Sequence, residues 1–560
     1  MRQILVLLCA GSVLIAPATA APTLSAELHG KVDKLFATIA GTTPGCAIGV
    51  FRSGEILFAK GYGLANLERG ASITAATKFN VASLSKQFTA FAIALLVQRG
   101  KLGLNDDIRK YLPEIADFGD RITVGNLVHH TSGLRDHGAL MEMTGWRLDQ
   151  SLSRKQAIDV IGRQRSLNFR PSDDYQYSNT NYVLLALIVE RVDGRTFRDF
   201  AAEEIFAPLG MNQSEIGRQE AAPAPPLATN YTLHKEGKWR PNSVWSTAYA
   251  VGATAVHTTL EDLARWNANF DDHLLGGRVV AAMMQSPGRL RSGKVVSYAF
   301  GQEVGEYRGL KTISHTGYGG GNFILTRFPE QRLTVARLCN RYFTEPTASG
   351  LEEKVADLFL ADQFPAAARE AAAPPTVAIA RAQIARHAGI YWGDDGPMRF
   401  SEKSGRLVYT EGGEEFSLRP VGPGRFHYDA LGATFTFHGA GYDLLDVVYR
   451  SGSQSGRRHP AWTPSEDELS AMIGHYRNSE LEAIWSLHRD RTTIILRRKG
   501  FPDRALTPTY RDHLTLNEVD EIGSRDVLIV LKRTATGIVP RIAVSRGRAR
   551  NVDFVRVDRD

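Results

Sequence analysis

Cysteine is scarce, with three in 560 residues, so a disulfide framework of the kind that staples small secreted domains is excluded. No Cys-x-x-Cys occurs. His129, His130 and His137 lack metal-ligand spacing and are expected to be structural or capping residues. No Gly-x-Ser-x-Gly stretch occurs either, which argues against the nucleophile elbow of an α/β-hydrolase. Gly288 to Lys294 has the glycine and lysine spacing of a phosphate loop, but Val295 stands where magnesium binding needs Ser or Thr. A plain polar loop is expected there. The formal net charge is +7 and the pI about 9.1. There is no long Lys/Arg run and no interleaving with aromatics, so no nucleic-acid partner is expected.

Long apolar runs are missing as well, except at the start. Arg2 precedes the short apolar core Ile4 to Ala16, which is too brief to span a bilayer comfortably. Ala18-Thr19-Ala20 is a small-x-small cleavage pattern. Residues 1–20 are therefore expected to be a signal peptide, with no membrane span beyond it and a periplasmic or secreted destination. Cys9 falls within this segment, and Leu8 before it argues against lipoprotein processing. The two remaining cysteines, Cys46 and Cys339, lie in apolar strand-like runs. Buried free thiols are the expected state, with a single bridge as the alternative in an oxidising compartment.

What is present is ordinary globular material, 43% hydrophobic and 23% charged, in a chain long enough for two or three domains. Its first two-thirds alternates strand-like and helix-like segments. Two β-rich runs flank the turn Arg52-Ser53-Gly54. Ser83 to Gln98 reads as a helix stopped by Gly100; Asn181 to Val192 and Leu260 to Phe270 read as further helices. The stretch from Phe364 to Val377, rich in Ala, Pro and Glu, reads as a linker. Beyond it, strand-length runs alternate with turns. Gly389-Ile390-Tyr391 and Gly474-His475-Tyr476 open two similar halves, a diverged repeat that predicts two closed antiparallel barrels. The expected division is 21–365 catalytic, 366–378 linker, and barrels at 379–463 and 464–560.

Three pieces carry chemistry. In Val81-Ala82-Ser83-Leu84-Ser85-Lys86, Ser83 and Lys86 stand three apart at a helix start, which puts them on one face. A serine hydroxyl needs a base, and a lysine whose pKa is lowered by burial supplies one. In Tyr175-Gln176-Tyr177-Ser178-Asn179, Tyr177 and Asn179 point the same way from a short extended stretch; a phenol there can shuttle protons and a carboxamide can hold a substrate amide. In Ser314-His315-Thr316-Gly317-Tyr318, a strand ends in a glycine-rich turn whose edge is able to pair with a peptide. The N–H groups of Ser83 and Tyr318 are suited to form an oxyanion hole.

In this order the three pieces resemble the Ser-x-x-Lys, Tyr-x-Asn and Lys/His-Thr-Gly motifs of the penicillin-recognising serine hydrolases: class C β-lactamases, D,D-peptidases and peptidase family S12. Gly61-Tyr62-Gly63, His130-Thr131-Ser132-Gly133-Leu134 and Pro208-Leu209-Gly210-Met211 fit the same superfamily. Ser132-Gly133-Leu134-Arg135-Asp136, Phe206-Ala207-Pro208, and Ile473-Gly474-His475-Tyr476 with Ser479-Glu480-Leu481-Glu482-Ala483 make the layout most similar to the D-aminopeptidases. The resemblance implies an α+β catalytic domain, an antiparallel sheet flanked by helices, followed by two all-β barrels. It also implies acyl transfer without metal or organic cofactor. Ser83, Lys86, Tyr177 and His315 would be catalytic; Asn179, Thr316, Gly317 and Tyr318 would bind substrate or oxyanion. The implied substrate is a small peptide or amide, cleaved from a free amino end bearing a D-residue. Asp503, in the loop Gly500 to Arg504 of the last barrel, is expected to hold the substrate ammonium. Alternatives are an esterase, a D,D-carboxypeptidase or β-lactamase-related hydrolase, and a non-catalytic binder of peptidoglycan fragments. The motifs do not indicate the oligomeric state.

Overall fold

The computed structural model describes residues 26–39, 41–147, 150, 152–217, 227–234, 236–242, 250–342, 350–366, 375–393, 396–411, 414–428, 432–449, 452–520 and 523–557. The expected signal peptide and residues 367–374 of the expected linker lie outside them. The catalytic region is built on a six-stranded antiparallel sheet of β1 (Cys46–Arg52), β2 (Glu55–Tyr62), β3 (Glu303–Tyr307), β4 (Leu310–Tyr318), β5 (Asn322–Phe328) and β6 (Leu333–Cys339). Its spatial order is β3-β4-β5-β6-β1-β2, so the chain's early hairpin closes onto its late strands.

Strands β1 and β6 are buried on both faces, which is why they read as continuous apolar runs. Their two-residue alternation sorts side chains into two cores. Cys46, Ile48, Val50, Leu333 and Val335 pack under helices α1 (Ala26–Leu35) and α6 (Leu351–Leu360). Ala47, Phe51, Ala336 and Leu338 face a larger cluster built around α2 (Lys86–Gln98), α4 (Asn179–Asp193) and α5 (Leu260–Asp272). α2 and α4 are apolar nearly all round because they run through the interior.

The expectation of free thiols is overturned. Cys46 and Cys339 stand directly opposite each other across the β1–β6 ladder, with Cα atoms 4.0 Å apart, and are joined as a disulfide. Neighbouring strands bring facing residues within bridging reach. This register cannot be read from two positions 293 residues apart.

Two closed eight-stranded barrels follow, the first running from Gly389–Gly393 to Gly452–Arg458 and the second from Gly474–Asn478 to Ala549–Val557. The α+β-plus-two-barrels expectation matches this architecture. The repeat reaches atomic detail. Each barrel is preceded by a short helix, Arg381–Ala385 or Glu466–Met472. The tyrosine of each Gly-x-Tyr brings its hydroxyl to the carbonyl four residues upstream, Tyr391 3.3 Å from His387 O, with a shorter bond to Tyr442 O at 2.6 Å, and Tyr476 2.8 Å from Met472 O. An arginine of each closing strand, Arg458 or Arg556, donates to carbonyls at the end of that helix or just beyond it. The first barrel keeps its own core. The apolar interior of the second merges with that of the catalytic region.

Candidate active site

Ser83 lies in a single 3-10 turn, Ala82–Ser85, that leads into α2. The residue before it, Ala82, is held at φ +48°, a left-handed conformation that costs a residue with a Cβ about 1 kcal/mol or more. Asn80 Oδ1 accepts from Ala82 N at 3.1 Å, and Val81 is bonded to Val256 and Leu84, so the turn is held from both sides. One turn on, Lys86 is fully buried. Its Nζ lies 2.9 Å from Asn179 Oδ1, 2.8 Å from the Ala253 carbonyl and 3.0 Å from Ser83 Oγ. The first two atoms can only accept. A neutral amine has two N–H bonds for them and one lone pair left, which faces the serine hydroxyl. Burial drives the Lys86 pKa well below its usual value; the Arg548 cation lowers it further and Asp136 opposes the shift. The geometry and the electrostatics thus agree on an amine able to take a proton from Ser83.

Tyr177 and Asn179 reach the same cavity as Ser83, although α4 already begins at Asn179 with Ser178 as its cap. The Tyr177 ring centroid lies 4.8 Å from Lys86 Nζ and 4.5 Å from the Arg548 guanidinium carbon. Burial pushes its pKa up, while Arg548 and a hydrogen bond to Ser83 pull it down. Beneath it, buried His130 accepts at Nδ1 from Ser178 N and Asn181 Nδ2, a structural role. Asp136 lines the cavity but is committed: its carboxylate accepts from the N–H groups of Gly138, Ala139 and Asn179.

The third piece sits on β4. Thr316 and Tyr318 line the cavity, and Gly317 lies so close to the nucleophile turn that a Cβ there would meet the Val81 carbonyl at 2.4 Å. His315 is buried and its pKa is lowered to about 3, by burial first and then by Lys86. It is therefore neutral. Nδ1 is 2.5 Å from the Thr316 carbonyl and must donate there, so Nε2 accepts from the Tyr298 hydroxyl at 2.9 Å. The hydrogen bonds of His315 thus run to Tyr298 and Thr316, and Tyr177 is a ring neighbour at 6.1 Å.

The cavity measures about 620 Å³, and the second barrel forms one of its walls. The residues that do this are not those expected. Asp503 is exposed, pairs with Arg497 at 2.7 Å and does not line the cavity. Its loop is spent on docking, with Gly500 packed against Gly145 and Phe501 against Arg498 and, at 5.8 Å, Arg546. The wall is instead the hairpin turn Arg546-Gly547-Arg548. It is pinned by hydrogen bonds from Asp136 N and Asn168 Nδ2 to the Arg548 carbonyl, and from Arg135 to the carbonyls of Arg550 and Asn551. A buried ion pair, Arg546 to Glu142 at 2.5 Å, and Trp485 Nε1 to the Met143 carbonyl tie the barrel to α3 (His137–Met143). Sequence reasoning missed Tyr298, Glu303, Arg546 and Arg548, and no local motif marks them. Among the described residues no His, Cys, Asp or Glu cluster is arranged to hold a metal ion, and no helix is long and apolar enough to cross a membrane.

Known proteins are similar to this chain in sequence and in fold. The Beta-lactamase family profile matches residues 32–358. Penicillin-binding protein 4* of Bacillus subtilis (strain 168) is 28% identical over 421 residues, 72% of this chain and 92% of that protein. A D-aminopeptidase of Gluconobacter oxydans (strain 621H) is 28% identical over 330 residues, 58% of this chain and 61% of that protein. Among solved structures, the octameric penicillin-binding protein homologue from Pyrococcus abyssi superposes on 77% of this chain and 99% of its own, with a TM-score of 0.51 at 23% identity. The D-amino acid amidase from Ochrobactrum anthropi SV3 covers 60% of this chain and 100% of its own, also with a TM-score of 0.51 at 23% identity.

Proposed function

Because the chain belongs to the beta-lactamase family, as a serine hydrolase of the D-peptidase type, we propose that it releases D-residues from the free amino end of short peptides or amides through an acyl-enzyme on Ser83. In this reading Ser83 Oγ attacks the scissile carbonyl and neutral Lys86 takes its proton. The oxyanion sits between the N–H groups of Ser83 and Tyr318. Asn179 orients the substrate amide with its side-chain N–H. Tyr177 passes a proton to the leaving nitrogen; water then attacks the acyl ester by the same steps in reverse. His315, held neutral, acts through Tyr298 and the β4 edge.

The observation that carries the reading is the Lys86 arrangement, whose two obligate acceptors leave a lone pair on the nucleophile. The barrel wall supports an exopeptidase over an endopeptidase, since it closes one side of what is otherwise an open cleft. The Cys46–Cys339 bridge supports export, because disulfides persist in oxidising compartments. A covalent serine reagent followed by peptide mapping tests the nucleophile: labelling is expected at Ser83 and absent in Ser83→Ala. A panel of D-Ala-p-nitroanilide, L-Ala-p-nitroanilide and p-nitrophenyl acetate tests the substrate class. Equal rates on the D and L anilides would remove the D-residue assignment.

A further inference from the structure

Five carboxyl and guanidinium side chains line the cavity, Asp136, Glu142, Glu303, Arg546 and Arg548, and their partners decide what the site can read. Asp136 is satisfied by three backbone N–H groups and Glu142 by Arg546. Two remain. Glu303 opens the edge strand β3, opposite Ser314 and bridged to Tyr298, so it belongs to the His315 wall. Among the described residues it has no hydrogen-bond or ion partner, and burial alone raises its pKa. Arg548 belongs to the opposite wall, over the Tyr177 ring. Its carbonyl is anchored from Asp136 and Asn168, yet its guanidinium has no carboxylate partner among the described residues. Both charges act on Tyr177, with opposite sign, and they do not pair with each other.

Two opposite charges left unpaired among the described residues, both in the lining of the nucleophile's cavity, match a ligand that carries the complementary charges at its two ends. We propose that the site reads both termini of a free dipeptide, Glu303 taking the ammonium of the acyl residue and Arg548 the carboxylate of the leaving residue. The assignment deepens the function proposed above and rests on its nucleophile. Burial favours a charged partner for Glu303, because a buried carboxylate is costly until it is paired. A guanidinium lying over an aromatic ring uses its face there and keeps in-plane N–H donors for a bidentate carboxylate. The carboxylate reader comes from the terminal barrel, which makes that barrel part of the substrate site.

The test uses the full chain and four ligands: D-Ala-D-Ala, N-acetyl-D-Ala-D-Ala, and the C-terminal amides of both, D-Ala-D-alaninamide and N-acetyl-D-Ala-D-alaninamide. For each, kcat/KM is measured, together with Ki against p-nitrophenyl acetate hydrolysis, so that a ligand not turned over still reports. In the wild type the free dipeptide is expected to be best. Arg548→Ala should cut the preference for carboxylate over carboxamide by roughly 10- to 100-fold, the worth of a charged hydrogen bond. Glu303→Gln should do the same to the preference for free over acetylated amine. Arg548→Lys keeps the charge beside Lys86 but loses the fork, and should recover only part of the selectivity. If either variant lowers all four ligands equally, the charge acts through Tyr177 and Lys86, and the proposal fails. If the wild type handles acetylated and free amines alike, the aminopeptidase reading falls, while a carboxylate preference lost in Arg548→Ala still upholds the Arg548 half.

Discussion

Arg546→Met probes how the terminal barrel is held. The Arg546 and Glu142 side chains are 2% and 1% exposed, so water replaces a lost partner poorly. Removing the guanidinium takes its ion partner from a buried carboxylate, which costs about 3–5 kcal/mol. Replacing both partners by apolar side chains of similar volume removes the desolvation burden together with the attraction and is close to neutral. A second grip on the same helix, Trp485 Nε1 to the Met143 carbonyl at 3.0 Å, is neutral and worth about 1 kcal/mol. Urea unfolding of Arg546→Met, Glu142→Leu and the double variant, at constant m-value, should show each single variant losing 3–5 kcal/mol by this reasoning. The double variant should recover most of that loss. Arg546 lies two residues before Arg548, so the single variant should also lower kcat/KM on the peptide panel. A single-variant loss below about 1 kcal/mol, or a double variant as costly as the sum of the singles, would falsify the account of the pair as a buried, water-excluded contact.

Other perturbations give independent readouts. The bridge closes a loop of 293 residues, for which chain entropy gives roughly 5–6 kcal/mol, so Cys46→Ser/Cys339→Ser should unfold at markedly lower urea while keeping native-like turnover below its transition. Untreated enzyme, denatured without reductant, should take up no thiol reagent at Cys46 or Cys339; labelling of both would remove the bridge. Lys86 must be neutral to act, so the acid limb of kcat/KM reports its deprotonation; Arg548→Ala removes a cation that lowers the Lys86 pKa and should move that limb to higher pH. An unmoved limb would separate Arg548 from Lys86. His315 titrates near pH 3, so no inflection between pH 5 and 9 should vanish in His315→Asn. Tyr298→Phe removes the hydroxyl donated to His315 Nε2 and should lower kcat more than it raises KM; an unchanged kcat would make that contact structural.

The chemistry of the nucleophile was legible because it is local. Ser83 and Lys86 are one helical turn apart, and Tyr177, Asn179 and His315 sit in short motifs whose residue types are tied to their task. The barrels were legible from alternating runs and from Gly389 and Gly474 opening two similar halves. What could not be read depends on contacts between distant segments. Cys46 faces Cys339 only because of strand register across the middle of the sheet. Asp503 looked like the charge at the mouth because it is the carboxylate of a turn-rich loop in the last barrel, where a substrate ammonium would need one; in the fold Arg497 takes that carboxylate and another hairpin reaches Tyr177. Glu303 and Arg548 gain significance from the partners they lack, and an unpaired charge is invisible until every neighbour is known. The left-handed Ala82 has no signature in its own side chain.

The hairpin wall also has a meaning in time. Ser83, Lys86, Tyr177 and His315 all precede Asn340, whereas Arg548 follows His315 by 233 positions (548 − 315). At translation rates of about 5–20 residues per second, the chain spends roughly 10–50 s with the nucleophile's own segment complete and its wall unmade. An open serine nucleophile in that interval would be a hazard to any ester or amide nearby. The same arginine that walls the cavity also lowers the proton affinity of Lys86. Until it docks, the lysine holds its proton more tightly and the serine is correspondingly less reactive. Reactivity and selectivity therefore arrive together, when that hairpin docks.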